Sequence, residues 1–374
     1  MRIVLVVPGG VDPPGGSRVI PFIHHLVERL GSRHDLLVVA VGHDEELRSW
    51  ELFGSPVINI PTGTHSRSDV VRVVGSVSRN IGRHGRPDVV HGLWANLPGL
   101  SAMIAARRFR VPSVVSVCGG ELACHPDIGY GGGLTAGTRR LSLTSLRGAT
   151  AATAATEWMR RHVTDAGGRV DEIVPLGADQ RCFATVGKSA SASARLVHIA
   201  GLNRVKNQDL LLRAVAIIAA EVPEIRLDIA GDDTLDGHHR RLAEALGIAS
   251  NVHFHGHVHH DALGDLVGQA TVHVLSSRHD AGPLAVLEAA ACGVPTIGTE
   301  VGHVADLAAL PQPGAVVVAG RSPEAFAAAV IEVLGDRRRR DALAEAAERW
   351  ARQHDAEHTV ASFEALYRRL AARS

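Results

Sequence analysis

The sequence predicts an α/β protein made of two successive parallel-sheet domains facing each other across a cleft. Three observations predict it. Strand-length apolar runs alternate with helix-period segments from end to end, the pattern of parallel sheets covered by helices on both faces. The chain has 374 residues, too many for one core when domains cluster near about 100–150 residues. Hydrophobic residues make up 45% of it, charged residues 21% and aromatics only 3%. That composition is globular, and its Ala, Val, Leu and Gly suit helix-on-sheet layers better than a β-sandwich.

In the first half, strands are expected at 3–7, 36–41, 89–91, 113–117, 149–153 and 172–175, with helices at 18–30, 69–83, 97–108 and 157–166 between them. In the second half, strands are expected at 196–200, 226–230, 252–255, 272–275, 296–298 and 316–319. The helix after the first of these carries Leu210, Ala214, Ile217 and Ile218 on one face, the period of a helix laid on a sheet. Residues 185–194 (TVGKSASASA) are small, polar and aperiodic, so they are expected to link a first domain, 1–184, to a second, 195–349. Gly187-Lys188-Ser189 within them is not a phosphate loop, because Cys182 stands where that motif needs its first glycine. The tail 350–374 is expected as an amphipathic helix packing back on the first domain, with Phe363, Leu366 and Tyr367 on one side. Arg337–Arg340 before it is a solvated face.

Several classes of function are set aside. Lysine plus arginine and aspartate plus glutamate number 39 each, so the charge balance gives no support to a nucleic-acid binder. Cys118, Cys124, Cys182 and Cys292 form no CxxC pair, which suits a reduced, cytoplasmic protein. The run 3–7 is too short for the apolar region of a signal peptide. No stretch reaches the roughly 18–20 apolar residues of a membrane span.

Ligands of open parallel sheets bind beyond the carboxyl ends of the strands, so the chemistry is sought there. After the first strand comes Pro8-Gly9-Gly10-Val11-Asp12-Pro13-Pro14-Gly15-Gly16-Ser17, whose glycines let amides approach an anion. It is not GxGxxG, which disfavours a dehydrogenase. After the strand at 196–200 come Arg204 and Lys206 just before a helix, two cations suited to a departing diphosphate. Gly231-Asp232-Asp233 follows the next strand, the glycine leaving the backbone open to a ligand; no DxD motif for metal chelation occurs. Most informative is Ser276-Ser277-Arg278-His279-Asp280-Ala281-Gly282-Pro283-Leu284-Ala285-Val286-Leu287-Glu288-Ala289. Pro283 fits the first position of a helix whose amides, around Gly282, Leu284 and Ala285, point at an anion. Glu288 in an otherwise apolar helix needs a partner.

These residues resemble glycosyltransferase family 4, retaining enzymes with two Rossmann-like domains in the arrangement termed GT-B. The family's E-x7-E element resembles Asp280 to Glu288, its phosphate-binding lysine resembles Lys206, and further fragments match from about residue 3 to 370, most densely over 196–302. The resemblance implies transfer of a sugar from a UDP- or GDP-sugar to a glycan, lipid-linked or small-molecule acceptor, with a nucleotide-sugar co-substrate and no metal or other cofactor. Asp280, Lys206 and Arg204 are then the catalytic set. Gly15, Gly16, Gly231, Asp232, His257, Gly282, Pro283, Leu284 and Glu288 bind the donor, and Cys118, Gly119, Gly120 and Glu121 lie on the acceptor side. Peripheral contact with the inner membrane face is implied as well, with Arg139, Arg140 and Arg147 as thin support.

Three positions depart from the family pattern. Asp280 stands for the usual glutamate, one methylene shorter. Gly201 aligns with an arginine, for which Arg204 is the nearest substitute. Cys118 stands for a histidine, and a buried small residue is its default reading against a nucleophile. His253, His255, His257, His259 and His260 crowd one stretch, but no flanking cysteine and carboxylate set accompanies them, so strand plus loop is preferred to zinc. Two alternatives use the same fold: a catalytically weakened partner subunit and a sugar-nucleotide epimerase.

Overall fold

The computed structural model describes residues 1–63, 66–184 and 194–373. The expected linker, with Gly187-Lys188-Ser189, lies outside the described residues except for Ala194. Contacts divide the chain into two compact units, Met1–Leu176 with Ala356–Ser374, and Gly177–Asp355. The division therefore precedes the small-residue stretch. Phe183 shows why: it is fully buried, with its ring 5.1 Å from that of His260 in the second unit.

The first unit holds β1 (Arg2–Val7), β2 (Asp35–Val41), β3 (Arg48–Leu52), β4 (Ser55–Ile60), β5 (Val89–Leu93), β6 (Ser113–Val117), β7 (Ala151–Ala154) and β8 (Glu172–Ile173). They form one sheet in the order β3-β4-β2-β1-β5-β6-β7-β8. All pairs are parallel except β3 with β4. Its helices are α1 (Pro21–Gly31), α2 (Arg67–His84), α3 (Leu97–Phe109), α4 (Ala136–Gly148), α5 (Glu157–Asp165) and the last helix of the chain (Ala356–Ala371). Side chains alternate across β1, so Ile3, Leu5 and Val7 join one core cluster and Val4 and Val6 the other. The first cluster includes Ile23, Leu26, Val27 and Leu30 of α1 with Val360, Phe363, Leu366 and Tyr367 of the last helix. The second includes Val73, Val77 and Ile81 of α2 with Ala102, Ala105 and Ala106 of α3.

The last helix is also fixed by polar contacts. Its Tyr367 hydroxyl lies 2.6 Å from Nδ1 of His91 on β5, whose Nε2 lies 2.7 Å from the Ser116 hydroxyl on β6. Burial lowers the His91 pKa to about 3, so the ring is neutral there. Arg29 of α1 and Arg33, two residues past its end, donate to Glu357 at 2.7 and 2.6 Å. The expected single helix over 350–370 is two helices, broken at His354-Asp355.

The second unit holds β9 (Arg195–Ile199), β10 (Arg226–Ala230), β11 (Val252–Gly256), β12 (Val272–Leu275), β13 (Thr296–Gly298) and β14 (Ala315–Val317). Its helices are α6 (Gln208–Glu221), α7 (His238–Ala245), α8 (His260–Gly268), α9 (Leu284–Ala291), α10 (Gly302–Ala308), α11 (Pro323–Gly335) and α12 (Arg337–Gln353). The strands are all parallel in the order β11-β10-β9-β12-β13-β14. The core cluster gathers Leu211, Val215 and Ile218 of α6 with Phe326, Val330 and Val333 of α11 around the strands. This order grows outward from β9 on one side and restarts at β12 on the other. The β9/β12 pair is thus the topological switch point, where open sheets of this kind leave a crevice. Among the described residues no helix is long and apolar enough to cross a membrane.

Candidate functional site at the switch point of the second unit

The loops after β9 and β12 flank the switch point and are fastened together. The Arg278 amide donates to the Val205 carbonyl at 2.7 Å, and the Ser276 hydroxyl to the Lys206 carbonyl at 2.8 Å. Above these bonds the Lys206 ammonium pairs with the Asp280 carboxylate, both side chains mostly buried. Loop 201–207 is braced from below by Gln208, the first residue of α6, whose amide donates to the Gly201 carbonyl at 3.0 Å. The same amide nitrogen lies 3.3 Å from Nε2 of His198, whose Nδ1 lies 2.8 Å from the Val274 carbonyl. Burial holds the His198 pKa down at about 4. A neutral ring then donates from Nδ1 to the carbonyl and accepts at Nε2.

The loop after β12 runs directly into α9. Pro283 is the residue before the helix (φ −63°, ψ 109°) and not its first position, so the expected start shifts by one residue. The amides of Leu284 and Ala285 open α9 and, as in any helix, have no acceptor within it. Gly302 (φ +44°) packs on this entry: a Cβ there would lie 2.5 Å from Pro283 Cδ and 2.7 Å from the Asp280 carbonyl. Glu288, one turn further along, is 3% exposed. Its required partner is His260 at the start of α8, with Nε2 2.7 Å from Glu288 Oε1. Burial alone would lower the His260 pKa. The Glu288 hydrogen bond, with the charges of Glu288, Asp261 and Asp179, outweighs it and leaves the ring above the ordinary imidazole value.

Arg204 is exposed and makes no hydrogen bond or ion pair among the described residues. It is thus not tied to Lys206 and Asp280. Asp232 and His257 meet each other on the surface, with Nδ1 3.3 Å from Oδ2. Gly231 is a glycine for another reason than the one expected. A Cβ there would sit 2.1 Å from the Ala200 carbonyl, so the residue serves the close approach of two strand ends.

In the first unit the corresponding switch point is β1/β5. The loop after β1 contains Gly15 (φ +90°) and Gly16, whose amide donates to the Pro13 carbonyl at 2.9 Å. The loop is closed by Asp12, which accepts from the Arg18 amide and guanidinium, each at 3.0 Å, and lies 2.8 Å from His43 Nε2. After β6, Glu121 is 4% exposed and its carboxylate accepts from the amides of Ala95, Cys118 and Gly119 at 3.0, 3.1 and 2.7 Å. Burial raises the Glu121 pKa although these bonds pull it down. Burial, with the Glu121 charge, also pushes the Cys118 thiol well above its usual range. Cys118 is therefore no thiolate nucleophile, and Glu121 is engaged in holding the ends of β5 and β6. Glu121→Gln trades one acceptor oxygen for a donor facing donors. It is expected to cost about 1 kcal/mol, read as a drop of a few degrees in melting temperature.

Residues 186–350 match the family described as glycosyl transferases group 1, and residues 19–178 match the glycosyl transferase 4-like domain. The second half of the chain therefore carries a group 1 glycosyl transferase domain and the first half a glycosyl transferase 4-like domain. The D-inositol 3-phosphate glycosyltransferase of Corynebacterium urealyticum is 32% identical over 186 residues, covering 48% of this chain and 44% of that protein. The chain spans about half the length of the curated relatives it matches first. Among solved structures, sucrose-phosphate synthase from Thermosynechococcus elongatus superposes with a TM-score of 0.82 at 17% identity, covering 100% of both chains. Anabaena HepE, solved in complex with UDP and glucose, superposes with a TM-score of 0.77 at 16% identity, covering 99% of this chain and 100% of that one. At such identities the likeness shows the fold, two parallel-sheet domains of the GT-B type.

Three of the five crowded histidines have carboxylate partners of their own, while the rings of His253 and His259 lie 4.4 and 6.2 Å from those of His255 and His257. His255 Nε2 lies 2.7 Å from Oδ1 of the buried Asp228, while His257 meets Asp232 and His260 meets Glu288. The fold brings a distant cysteine, Cys182, to His260 and its sequence neighbour Asp261. Cys182 Sγ lies 3.5 Å from Asp261 Oδ1, and their ligand-type atoms and one of His260 fall within 4.8 Å of one another. Sequence reasoning missed His260, His198, Gln208 and Asp12. Only the unpartnered carboxylate of Glu288 hinted at the first, and nothing in the spacing pointed to the others.

Proposed function

We propose that this chain is a retaining, metal-independent glycosyltransferase that holds the diphosphate of a nucleotide sugar at the switch point of its second unit. The observation that carries the reading is the convergence there of Lys206, the amide end of α9 and the buried Glu288, on the ends of neighbouring strands β9 and β12. Lys206 and the α9 amides neutralise the charge that grows on the leaving diphosphate. Glu288, with one oxygen on His260, accepts from the ribose hydroxyls through the other, and Asp280 accepts from the sugar. The bond from the anomeric carbon to the phosphate oxygen breaks as the bond to the acceptor oxygen forms on the same face. The acceptor's proton passes to the departing diphosphate. That HepE binds UDP and glucose supports a uridine donor, and the D-inositol 3-phosphate glycosyltransferases support a hydroxyl acceptor.

Melting curves with UDP, GDP, ADP and CDP test this. A rise with one of them is expected, about 2.7 kcal/mol of stabilisation at a hundredfold excess over Kd. No response to any of the four contradicts the reading. Product analysis of the sugar nucleotide without acceptor separates the alternatives. Free sugar plus nucleoside diphosphate marks a transferase, a new sugar nucleotide an epimerase, and unchanged donor a binding subunit.

A further inference from the structure

The second unit carries a cluster outside the proposed donor site. Asp209 lies in the first turn of α6, and His238 and His239 open α7. His238 Nε2 lies 2.9 and 3.1 Å from the two Asp209 oxygens, and His239 Nε2 lies 3.2 Å from Asp209 Oδ1. One ligand atom from each of the three falls within 4.8 Å of the others. We infer that Asp209, His238 and His239 form a binding site for a divalent first-row transition ion of the zinc class.

Three features carry this. Two neutral imidazoles and a carboxylate are the donor set such ions take. Ligand atoms held about 2.0–2.1 Å from an ion are separated by about 2.9–3.4 Å, and both imidazole–carboxylate spacings here fall in that range. The site is half preformed and half open: the His239 side chain is 2% exposed, whereas His238 and Asp209 are 47% and 43% exposed. The buried ring is held in place, and the open side admits the ion and leaves its remaining positions to water. Coordination would staple the start of α6 to the start of α7. The loop between β10 and α7, which contains Gly231 and Asp232, would then be closed at its far end, where Asp233 already accepts from the Leu235 and Gly237 amides at 2.8 Å.

The test uses the full chain stripped by chelation and titrated with Co2+. Saturable binding of one ion is expected, with ligand-field absorption bleached by Zn2+ and a melting temperature raised by a few degrees. Asp209→Ala and His238→Ala, both at half-exposed positions, are expected to weaken binding at least about tenfold. Cys182→Ala, which disables the other three-residue cluster, is expected to leave it intact. Absence of saturable binding to the unaltered chain overturns the inference. So does Co2+ binding that survives both the Asp209 and the His238 substitutions, or that is lost with Cys182→Ala.

Discussion

Replacing Lys206 by alanine is expected to weaken binding of the nucleoside diphosphate by about 1–3 kcal/mol, the scale of a lost charge-assisted hydrogen bond. The transfer rate should fall further, by about a hundredfold or more, because the missing charge matters most as the leaving diphosphate forms. The structure adds a second effect. Lys206 is the ion-pair partner of Asp280, so its removal leaves a carboxylate facing the phosphates. Asp280→Asn placed on the Lys206→Ala background should therefore restore part of the lost diphosphate affinity. Isothermal titration of both variants measures this. Equal affinities for the two would mean that Asp280 does not face the bound phosphates.

Glu288→Gln is expected to weaken donor binding by a similar amount, about 1–3 kcal/mol, and to remove a pH dependence of stability. His260 has a raised pKa in the folded chain because Glu288 accepts from it. A raised imidazole pKa contributes stability that is fully present below the unfolded value, about 6.5. That stability is lost as pH rises through the folded value, which lies above it. The stability difference between unaltered chain and Glu288→Gln should therefore be larger near pH 6 than near pH 9. A difference that does not change with pH would show that the pair holds no extra proton.

Much of the fold was legible because it rests on local patterns. Alternation of apolar runs marked every parallel strand of the second unit, since buried parallel strands read as near-continuous Val, Ile and Leu. The β3–β4 hairpin escaped notice for the converse reason. Arg48–Leu52 is a mostly exposed edge with polar residues, and its turn places Phe53 at φ 51° where a glycine or asparagine would have signalled it. Helix α4 escaped notice because only Leu141, Leu143 and Leu146 are large apolar residues in it, too few to show a face. In the site, the motif residues Lys206, Asp280 and Glu288 were readable from their place after strands. His260 was not, because its pairing with Glu288 spans 28 residues and depends on how α8 meets α9. Glycine was legible as a constraint but not by its cause, as Gly231 shows. Glu121 was readable as a strand-end carboxylate, but its capture by three backbone amides was not.

The central claim is that the switch point of the second unit holds a pyrophosphate. A crystal structure of the chain with a bound nucleoside diphosphate tests it most directly. The account predicts phosphate oxygens within hydrogen-bond distance of Lys206 Nζ and of the Leu284 or Ala285 amide, with the ribose on Glu288. A diphosphate bound elsewhere, with Lys206 still paired to Asp280 and Glu288 touching only His260, would contradict it.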